Sequence, residues 1–323
     1  MNDSVKGVGA VSIGGMAVGS GIQSGIDAHR FARARDFVQR NARLGDRYLF
    51  ACLFEGASNE PVREALRAYR NPDGGFGNAL EPDKRCPDSQ PVDAEEALKI
   101  LDVVDGFDDP MVEGACDWLE QTADATGGVP FVLPSANDYP HAPWWEAPPE
   151  PPPSINPTGS IVAILTKRNV AHPWVERGTE FCWRTLEDEQ TTGFNDLRCA
   201  IAFLEQAADR DRAAASLARM RDYLFSSDEI EYDLSAPGYV HTPLDWAPAP
   251  IGFSHGLFTR DQLIEGLAAL ANAQRDDGGW PIKWPAISPG VELEWRGRVT
   301  IDALLTLRSC HMRWLAMVQL ECE

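Results

Sequence analysis

Apolar residues recur at helical spacing along most of the chain from about residue 28 onward. In the first such segment Phe31, Ala34, Val38 and Ala42 fall on one helix face, with arginines between them. Five further segments have the same half-polar character, and they begin after Asn59, at Asp109-Pro110, at His172-Pro173, near Asp209 and at Thr259. These six predicted helices are amphipathic, so each is expected to bury one face and expose the other.

Five shorter segments between them are much more apolar, which predicts buried helices. Their sequences are RYLFACLF, PVDAEEALKILDVV, TGSIVAILTK, DLRCAIAFLEQA and VTIDALLTLRS. Alternation of the two kinds at intervals of roughly 40 to 60 residues is typical of repeat folds, in which each helix pair needs its neighbours to bury its core. We therefore predict an all-α fold with an outer and an inner ring of helices. The sixth inner position would fall near 236–256, where the many prolines predict an extended segment instead.

Three outer helices are followed by a glycine pair and an apolar residue: RNPDGGF at 70–76, ATGGV at 125–129 and QRDDGGW at 274–280. Glycine just past a helix end supplies a left-handed turn, and the apolar residue after it can pack between helices. The recurrence of this turn in step with the helix pairs makes the pattern specific. The longest irregular stretch, 130–158, is too rich in proline for a helix or a central strand, and its Trp144-Trp145 pair predicts packing against the rest of the fold.

Composition restricts the setting in which the protein works. The chain of 323 residues is 44% hydrophobic and 24% charged, which fits one large globular domain over 26–323 after a flexible Gly/Ser-rich tail over 1–25. No stretch reaches the roughly 20 apolar residues that span a bilayer. The net charge of −20 argues against a nucleic-acid partner. Seven scattered cysteines without a C-x-x-C pair predict reduced thiols in a cytoplasmic protein, not a disulfide framework or a zinc site.

The QRDDGGW turn before a buried helix resembles the QW-type repeat of squalene and diterpene cyclases, and the D-G-G-aromatic turn is similar to that of protein prenyltransferase β subunits. Residues 28–315 as a whole resemble the bacterial α/α toroids of the prenyltransferase/squalene-oxidase-repeat kind. The resemblance implies an (α/α)6 toroid around an apolar, aromatic-lined cavity. In class II cyclases an Asp-x-Asp-Asp motif donates the proton, but the matching positions here read Gln90, Pro91, Val92 and Asp93, so only the last acid is present.

Three acids are candidate proton donors, because a donor needs a pKa raised by burial or by a neighbouring carboxylate. Asp93 and Asp196 lie at the starts of predicted inner helices, where helix capping is the alternative explanation. Asp245 lies in the predicted extended segment between His241 and Trp246, and we include His241 in the candidate catalytic set.

The candidate substrate-binding residues are aromatic or cationic side chains near the entrances of the predicted inner helices: Phe76, Trp144, Trp145, Trp246, Trp280, Trp284, Trp295, Arg296 and Arg298. Aromatic faces attract cations, and arginines at a helix start suit a diphosphate or a carboxylate. The alternative for the two arginines is a salt bridge to Glu292, Glu294 or the acidic loop at 80–88. We predict no bound metal, and Mg²⁺ only if the substrate is a diphosphate.

The leading hypothesis is a terpene cyclase-like enzyme that cyclises a small hydrophobic, isoprenoid-like substrate by general acid catalysis, without a cofactor. A second is a glycoside-active α/α barrel, in which two of Asp93, Asp196 and Asp245 would lie about 5–10 Å apart. The third is a toroid that binds a lipid without catalysis.

Overall fold

The computed structural model describes residues 27–188, 191–249 and 251–320, with side chains described up to residue 310 and excluding Asp188. This part of the chain is all-helical, as predicted, and has no β-strand. The tail predicted over 1–25 lies outside the described residues.

Twelve α-helices are present in the described ranges. They are α1 (Ala28–Asn41), α2 (Leu44–Glu55), α3 (Glu60–Arg67), α4 (Pro91–Val103), α5 (Met111–Thr122), α6 (Ile155–Lys167), α7 (Pro173–Asp188), α8 (Phe194–Gln206), α9 (Arg210–Ser226), α10 (Pro243–Trp246), α11 (Arg260–Asn272) and α12 (Pro289–Leu320). Short 3₁₀ turns occur at Pro134–Asp138, Pro143–Trp145 and Ser254–Leu257. The eleven helices that the sequence predicts are all present.

Local capping explains where several helices begin. The Asp209 side chain accepts a hydrogen bond from the Arg212 N–H at 3.0 Å, and Thr259 forms the predicted capping box with Gln262. The Asp109 carboxylate accepts from the Met111 N–H at 3.0 Å, although the helix begins after Pro110 rather than at it. These side chains satisfy amide groups that have no partner inside the helix.

The prediction of an extended segment over 236–256 is wrong at its centre, where α10 forms. Pro243 occupies the first position of this helix, which proline tolerates, and Thr242 and Asp245 form a capping box around it. The last helix is also longer than predicted. It begins at Pro289, where the Ser288 hydroxyl accepts from the Val291 N–H at 3.3 Å.

Packing connects the beginning of the chain to its end. The first two helices contact each other, and both contact α12. In the middle of the chain α6 packs against α4, α7 and α8, while α5 packs against α7. The short α10 packs on α11, which in turn packs on α12. The apolar helices α4 and α8 therefore both pack against α6, with the amphipathic helices packed against them.

The first glycine of each Gly-Gly turn lies against the backbone of another amphipathic helix. Gly74, Gly127 and Gly278 have φ of +94°, +92° and +96°. A Cβ atom on any of them would lie 2.5 Å or less from a carbonyl oxygen, which belongs to Gly114 in α5, Arg177 in α7 or Arg33 in α1. Both the backbone conformation and the lack of space therefore require glycine.

The second glycine and the residue after it fix the turn to two helices at once. A Cβ on Gly75, Gly128 or Gly279 would lie 2.6 Å from the ring of Trp118, Phe181 or Phe37, one turn further along the same three helices. The following residue is buried in all three turns, at Phe76, Val129 and Trp280. The Val129 and Trp280 N–H groups donate to Thr158 in α6 and Thr300 in α12, at 3.1 and 3.0 Å. The turns at Phe76 and Val129 thus bond the starts of α4 and α6, whereas the turn at Trp280 bonds α12 eleven residues after its start.

Two further findings concern membrane-spanning helices and the cysteines. No helix in the described ranges is long and apolar enough to cross a bilayer. The cysteines at 52, 86, 116, 182, 199 and 310 are free thiols.

A glycine substitution tests the close approach in these turns. Gly278→Ala should lower the free energy of unfolding by about 1–3 kcal/mol more than Gly238→Ala. Both glycines have positive φ, but a Cβ on Gly238 meets nothing within 4 Å. Urea unfolding followed by circular dichroism measures both losses. Equal losses would show that backbone conformation alone, and not the contact with α1, requires glycine at 278.

Candidate functional site

Charged side chains from α2, α4 and α12 meet among helices that are otherwise apolar. We call this group the charged cluster: Asp46 from α2, Glu95, Glu96 and Lys99 from α4, and Arg298 and Asp302 from α12. Arg298 pairs with Glu96 at 2.5 Å and with Asp302 at 3.5 Å, and Lys99 pairs with Glu95 at 2.6 Å. The Arg298–Glu96 pair joins α4, near the start of the chain, to α12 at its end.

Water reaches part of the charged cluster. The side chain of Asp302 is 58% accessible and that of Lys99 is 43% accessible. Burial nevertheless raises the pKa of Asp302, against the opposing effect of Arg298. Burial likewise raises the pKa of Glu96, with Arg298 and Lys99 opposing. Glu96 and Asp302 therefore combine water access with raised pKa values, a combination that is frequent at functional sites.

The start of α8 faces the same region. Burial raises the pKa of Asp196, and a hydrogen bond from Asn156 opposes the rise. Burial also raises the pKa of Cys199, and the nearby charge of Glu95 adds to the effect. The Cys199 thiol lies 3.6 Å from the Asn156 side-chain oxygen. Of the predicted donors, Asp196 is therefore the one near the charged cluster.

Asp93 is fully buried at the start of α4. Its Oδ1 accepts from the Glu81 N–H at 2.7 Å, and its Oδ2 pairs with the ammonium of Lys84, which is also fully buried. Burial raises the pKa of Asp93 in spite of Lys84. Because both oxygens hold the segment 81–85, the carboxyl acts there as an anchor for that loop.

The same segment contains an acid that the sequence analysis did not identify. Burial raises the pKa of Glu81 to about 8, with Lys84 opposing and the charges of Asp93 and Asp83 adding to the rise. Glu81 is therefore protonated at neutral pH. The raised pKa of Glu81 depends on burial and on three neighbouring ionisable groups, Asp83, Lys84 and Asp93. The loop sequence EPDK alone reveals neither the burial nor the contact with Asp93.

Three of the predicted tryptophans surround segment 81–85. The Trp284 indole donates to Asp83 Oδ2 at 3.0 Å, and its ring meets that of Trp295 edge-on at 5.1 Å. The ring of Trp145 stacks on Phe131 at 4.7 Å and lies 5.7 Å from the Lys84 ammonium. Trp145 thus packs as predicted, whereas Trp144 beside it is 41% exposed.

Asp245 does not lie on non-helical backbone, contrary to the expectation from its prolines, because it is the third residue of α10. Its Oδ2 accepts from the Thr242 N–H and hydroxyl, both at 2.7 Å, and pairs with Lys283 at 2.7 Å. The capping box and this ion pair account for the carboxylate.

His241 belongs to an aromatic group around the start of α8. Its ring stacks on Phe194 with centroids 3.5 Å apart, and Tyr239 and Trp246 meet it edge-on. Burial lowers the pKa of His241 to about 4, so the ring is neutral at neutral pH. Trp246 is buried, whereas Tyr239 is half exposed and lies 6.0 Å from Trp284. Exposed and half-buried aromatic rings therefore border the region between α8 and α12.

The two arginines of α12 have different surroundings. Arg296 donates to the Trp280 carbonyl at 3.1 Å and pairs with Asp277 at 2.7 Å, so it ties α12 to its Gly-Gly turn. Arg298 lies in the charged cluster. Their acidic partners are Asp277, Glu96 and Asp302, rather than the residues expected from the sequence. Trp280 and Phe76 are both buried in the turns themselves.

No group of three or more histidine, cysteine, aspartate or glutamate side chains within the described ranges could hold a metal ion.

The raised pKa of Glu81 makes a prediction about stability and pH. The folded chain holds a proton up to about pH 8 that the unfolded chain loses near 4.5, so this group lowers stability as pH rises between these values. Glu81→Gln removes that loss. The free energy of unfolding of Glu81→Gln should equal that of the natural chain near pH 4.5 and exceed it by a few kcal/mol at pH 8. Above pH 8 the difference should stay constant. Chemical unfolding across this range measures the difference, with the exposed Glu64→Gln as the control. A pH-independent difference would contradict the burial of a protonated Glu81.

Comparison with known proteins adds information about the fold alone. No model of a known protein family matches the chain, and no curated protein matches it. Among solved structures, the crystal structure of a protein from Actinoplanes is similar, with a TM-score of 0.56 and 14% sequence identity, covering 87% of this chain and 99% of that one. At this identity the similarity shows a shared fold and leaves the chemistry of the chain to its own residues.

Proposed function

We propose that the protein is a glycoside-active enzyme built on an α/α toroid. The observation that carries the proposal is the charged cluster, in which Arg298 joins two carboxyls with raised pKa values, Glu96 of α4 and Asp302 of α12, at what we propose is a recess between these helices. The proposal favours the second of the three hypotheses drawn from the sequence, with Glu96 and Asp302 as its paired acids.

The toroid is supported by the order of helix contacts. In it α2, α4, α6, α8, the short α10 and α12 form the inner ring, and the amphipathic helices form the outer one. Contacts of α12 with both α1 and α2 close the ring. The three Gly-Gly turns each join one outer helix to the next, and the turn at 278 reaches back to α1.

The charges of the recess favour a polar substrate over a hydrocarbon. Lining a cavity for an isoprenoid chain with ionised groups would require their desolvation on binding, which costs several kcal/mol per ion. Lys99 and Arg298 are already paired with carboxylates of the cluster, so neither is free to bind a diphosphate. A neutral polyhydroxylated ligand can instead exchange hydrogen bonds with these groups.

The two carboxyls can divide the roles that glycoside hydrolysis requires. Glu96 is bound closely by Arg298, which favours its ionised form, so it serves as the base that takes a proton from the attacking water. Asp302 lies farther from Arg298, at 3.5 Å, and burial raises its pKa, so it serves as the acid that protonates the leaving oxygen as the glycosidic bond breaks. Arg298 contacts both carboxyls, so the two acids lie on one guanidinium.

Aromatic rings near the recess can bind the sugar. The rings of Tyr239 and Trp284 lie 6.0 Å apart, and Trp284 meets Trp295, which lies one turn before Arg298 on the same face of α12. Aromatic side chains combine a large apolar face with a polar edge, which suits the two faces of a pyranose ring.

The assignment predicts loss of activity without loss of fold. Glu96→Gln and Asp302→Asn should each reduce hydrolysis of any accepted nitrophenyl glycoside at least about 100-fold, since a positioned acid or base contributes that much. Release of nitrophenol from a panel of glycosides measures the rates. Glu64→Gln, on the exposed face of α3, should leave them unchanged. Full activity in either cluster variant would remove these acids from the mechanism, and binding of oligosaccharides without turnover would instead indicate a binding protein.

A second proposal retains the class II-type cyclase. Its support is the protonated Glu81 next to Asp93, at the position that matches the cyclase motif, with the faces of Trp145 and Trp284 nearby. Glu81 would then be the general acid, with Asp93 as its neighbour. Glu81 is only 7% exposed, so substrate would have to reach it through the tryptophans.

Mass spectrometry of extracts tests this second proposal. The purified protein, incubated with farnesyl and geranylgeranyl diphosphate and the corresponding alcohols, with and without Mg²⁺, should yield a cyclised product that Glu81→Gln abolishes. Absence of product from all four compounds would count against the cyclase, as would a product that persists in Glu81→Gln.

We also propose a cytoplasmic location, which the free thiols support.

A further inference from the structure

The segment 81–85 joins the two tryptophan-bearing parts of the site. On one side its backbone bonds the loop that carries Trp145, through Ala142 N–H to Asp83 O at 2.8 Å and Arg85 N–H to Pro140 O at 2.9 Å. On the other side Arg85 pairs with Glu294 of α12 at 2.8 Å. The segment is therefore fixed to both neighbours.

Asp83 is the group in this segment that the proposed chemistry does not use. It is 1% exposed, and burying a carboxylate is costly unless it forms strong contacts. Its Oδ2 accepts the Trp284 indole N–H at 3.0 Å. Burial raises the pKa of Asp83, and the hydrogen bond from the Trp284 indole opposes the rise, so this ring stabilises its charge.

We propose that Asp83 is a positioning residue, which orients Trp284, and through it Trp295, for stacking on the substrate. The proposal rests on the proposed glycoside function for its effect on activity. A hydrogen bond to a charged acceptor is roughly twice as strong as one to a neutral acceptor. This bond favours the orientation in which the Trp284 N–H points at Asp83. Trp284 in turn packs edge-on against Trp295, so one carboxylate sets the orientation of both rings.

The contacts that hold the segment 81–85 in place support a positioning role for Asp83. Asp93 holds the Glu81 N–H and the Lys84 ammonium, which fixes the residues on both sides of Asp83. The backbone around Asp83 is therefore held in place, and the Trp284 indole takes the orientation that its hydrogen bond to Asp83 requires.

A double-mutant cycle tests the proposal. Asp83→Asn should raise KM for an accepted glycoside about fivefold, with kcat nearly unchanged, because it weakens a charged hydrogen bond without touching the reacting carboxyls. In a Trp284→Phe background, which keeps a ring and removes the N–H donor, Asp83→Asn should have no further effect on KM. An equal rise in KM in both backgrounds would overturn the proposal, because Asp83 would then act independently of Trp284.

Fluorine NMR tests the positioning without any substrate. In the full chain labelled with 5-fluorotryptophan, resonances are assigned by single Trp→Phe variants. Asp83→Asn should shift those of Trp284 and Trp295 and leave that of Trp174 in place. Asp109→Asn removes another buried carboxylate, which pairs with Arg63 and Arg67, and should shift neither. Unchanged Trp284 and Trp295 resonances in Asp83→Asn would overturn the proposal. If no glycoside is hydrolysed but these resonances shift, the proposed function fails and the positioning stands.

Discussion

The close approach of each Gly-Gly turn to a neighbouring amphipathic helix is the constraint on which the arrangement of helices depends. The first glycine leaves no room for a side chain above a helix carbonyl, and the second lies under an aromatic ring one turn further along. The buried residue that follows is bonded to the next apolar helix in two of the three turns. A fixed spacing between one helix pair and the next follows from these contacts.

The charged cluster is costly within such a core, and its pairing shows how the fold tolerates it. Each base has an acidic partner on its own or a neighbouring helix, which offsets part of the desolvation. Asp302 remains largely accessible and only loosely paired. Replacing these residues with apolar ones would often stabilise a protein, so their presence fits a function in ligand recognition or catalysis better than a role in stability alone.

Local signals in the sequence predict much of the fold and less of the site. The helix starts at Asp209 and Thr259 can be predicted because each capping residue and its partner are three residues apart. The Gly-Gly turns can be predicted because they recur. The position of Asp93 at a helix start is visible in the sequence and makes it a candidate proton donor. Its pairing with Lys84 is not visible, because it depends on the conformation of the loop 81–85. Glu96 and Asp302 were missed, although the charges within AEEALK interrupt a helix predicted to be buried, and such charges need partners or solvent. Periodicity does not distinguish a face that lines a recess from one packed in the core.

The claim that these helices enclose a polar ligand site is tested most directly by hydrogen–deuterium exchange of the Glu96→Gln variant, which should bind without turnover. Exchange is measured with mixed neutral oligosaccharides and separately with farnesol, each against the free protein. The account predicts that the sugars slow exchange in peptides covering the starts of α4 and α8 and residues 292–302 of α12, and that farnesol does not. Protection of these peptides by farnesol and not by the sugars would contradict it.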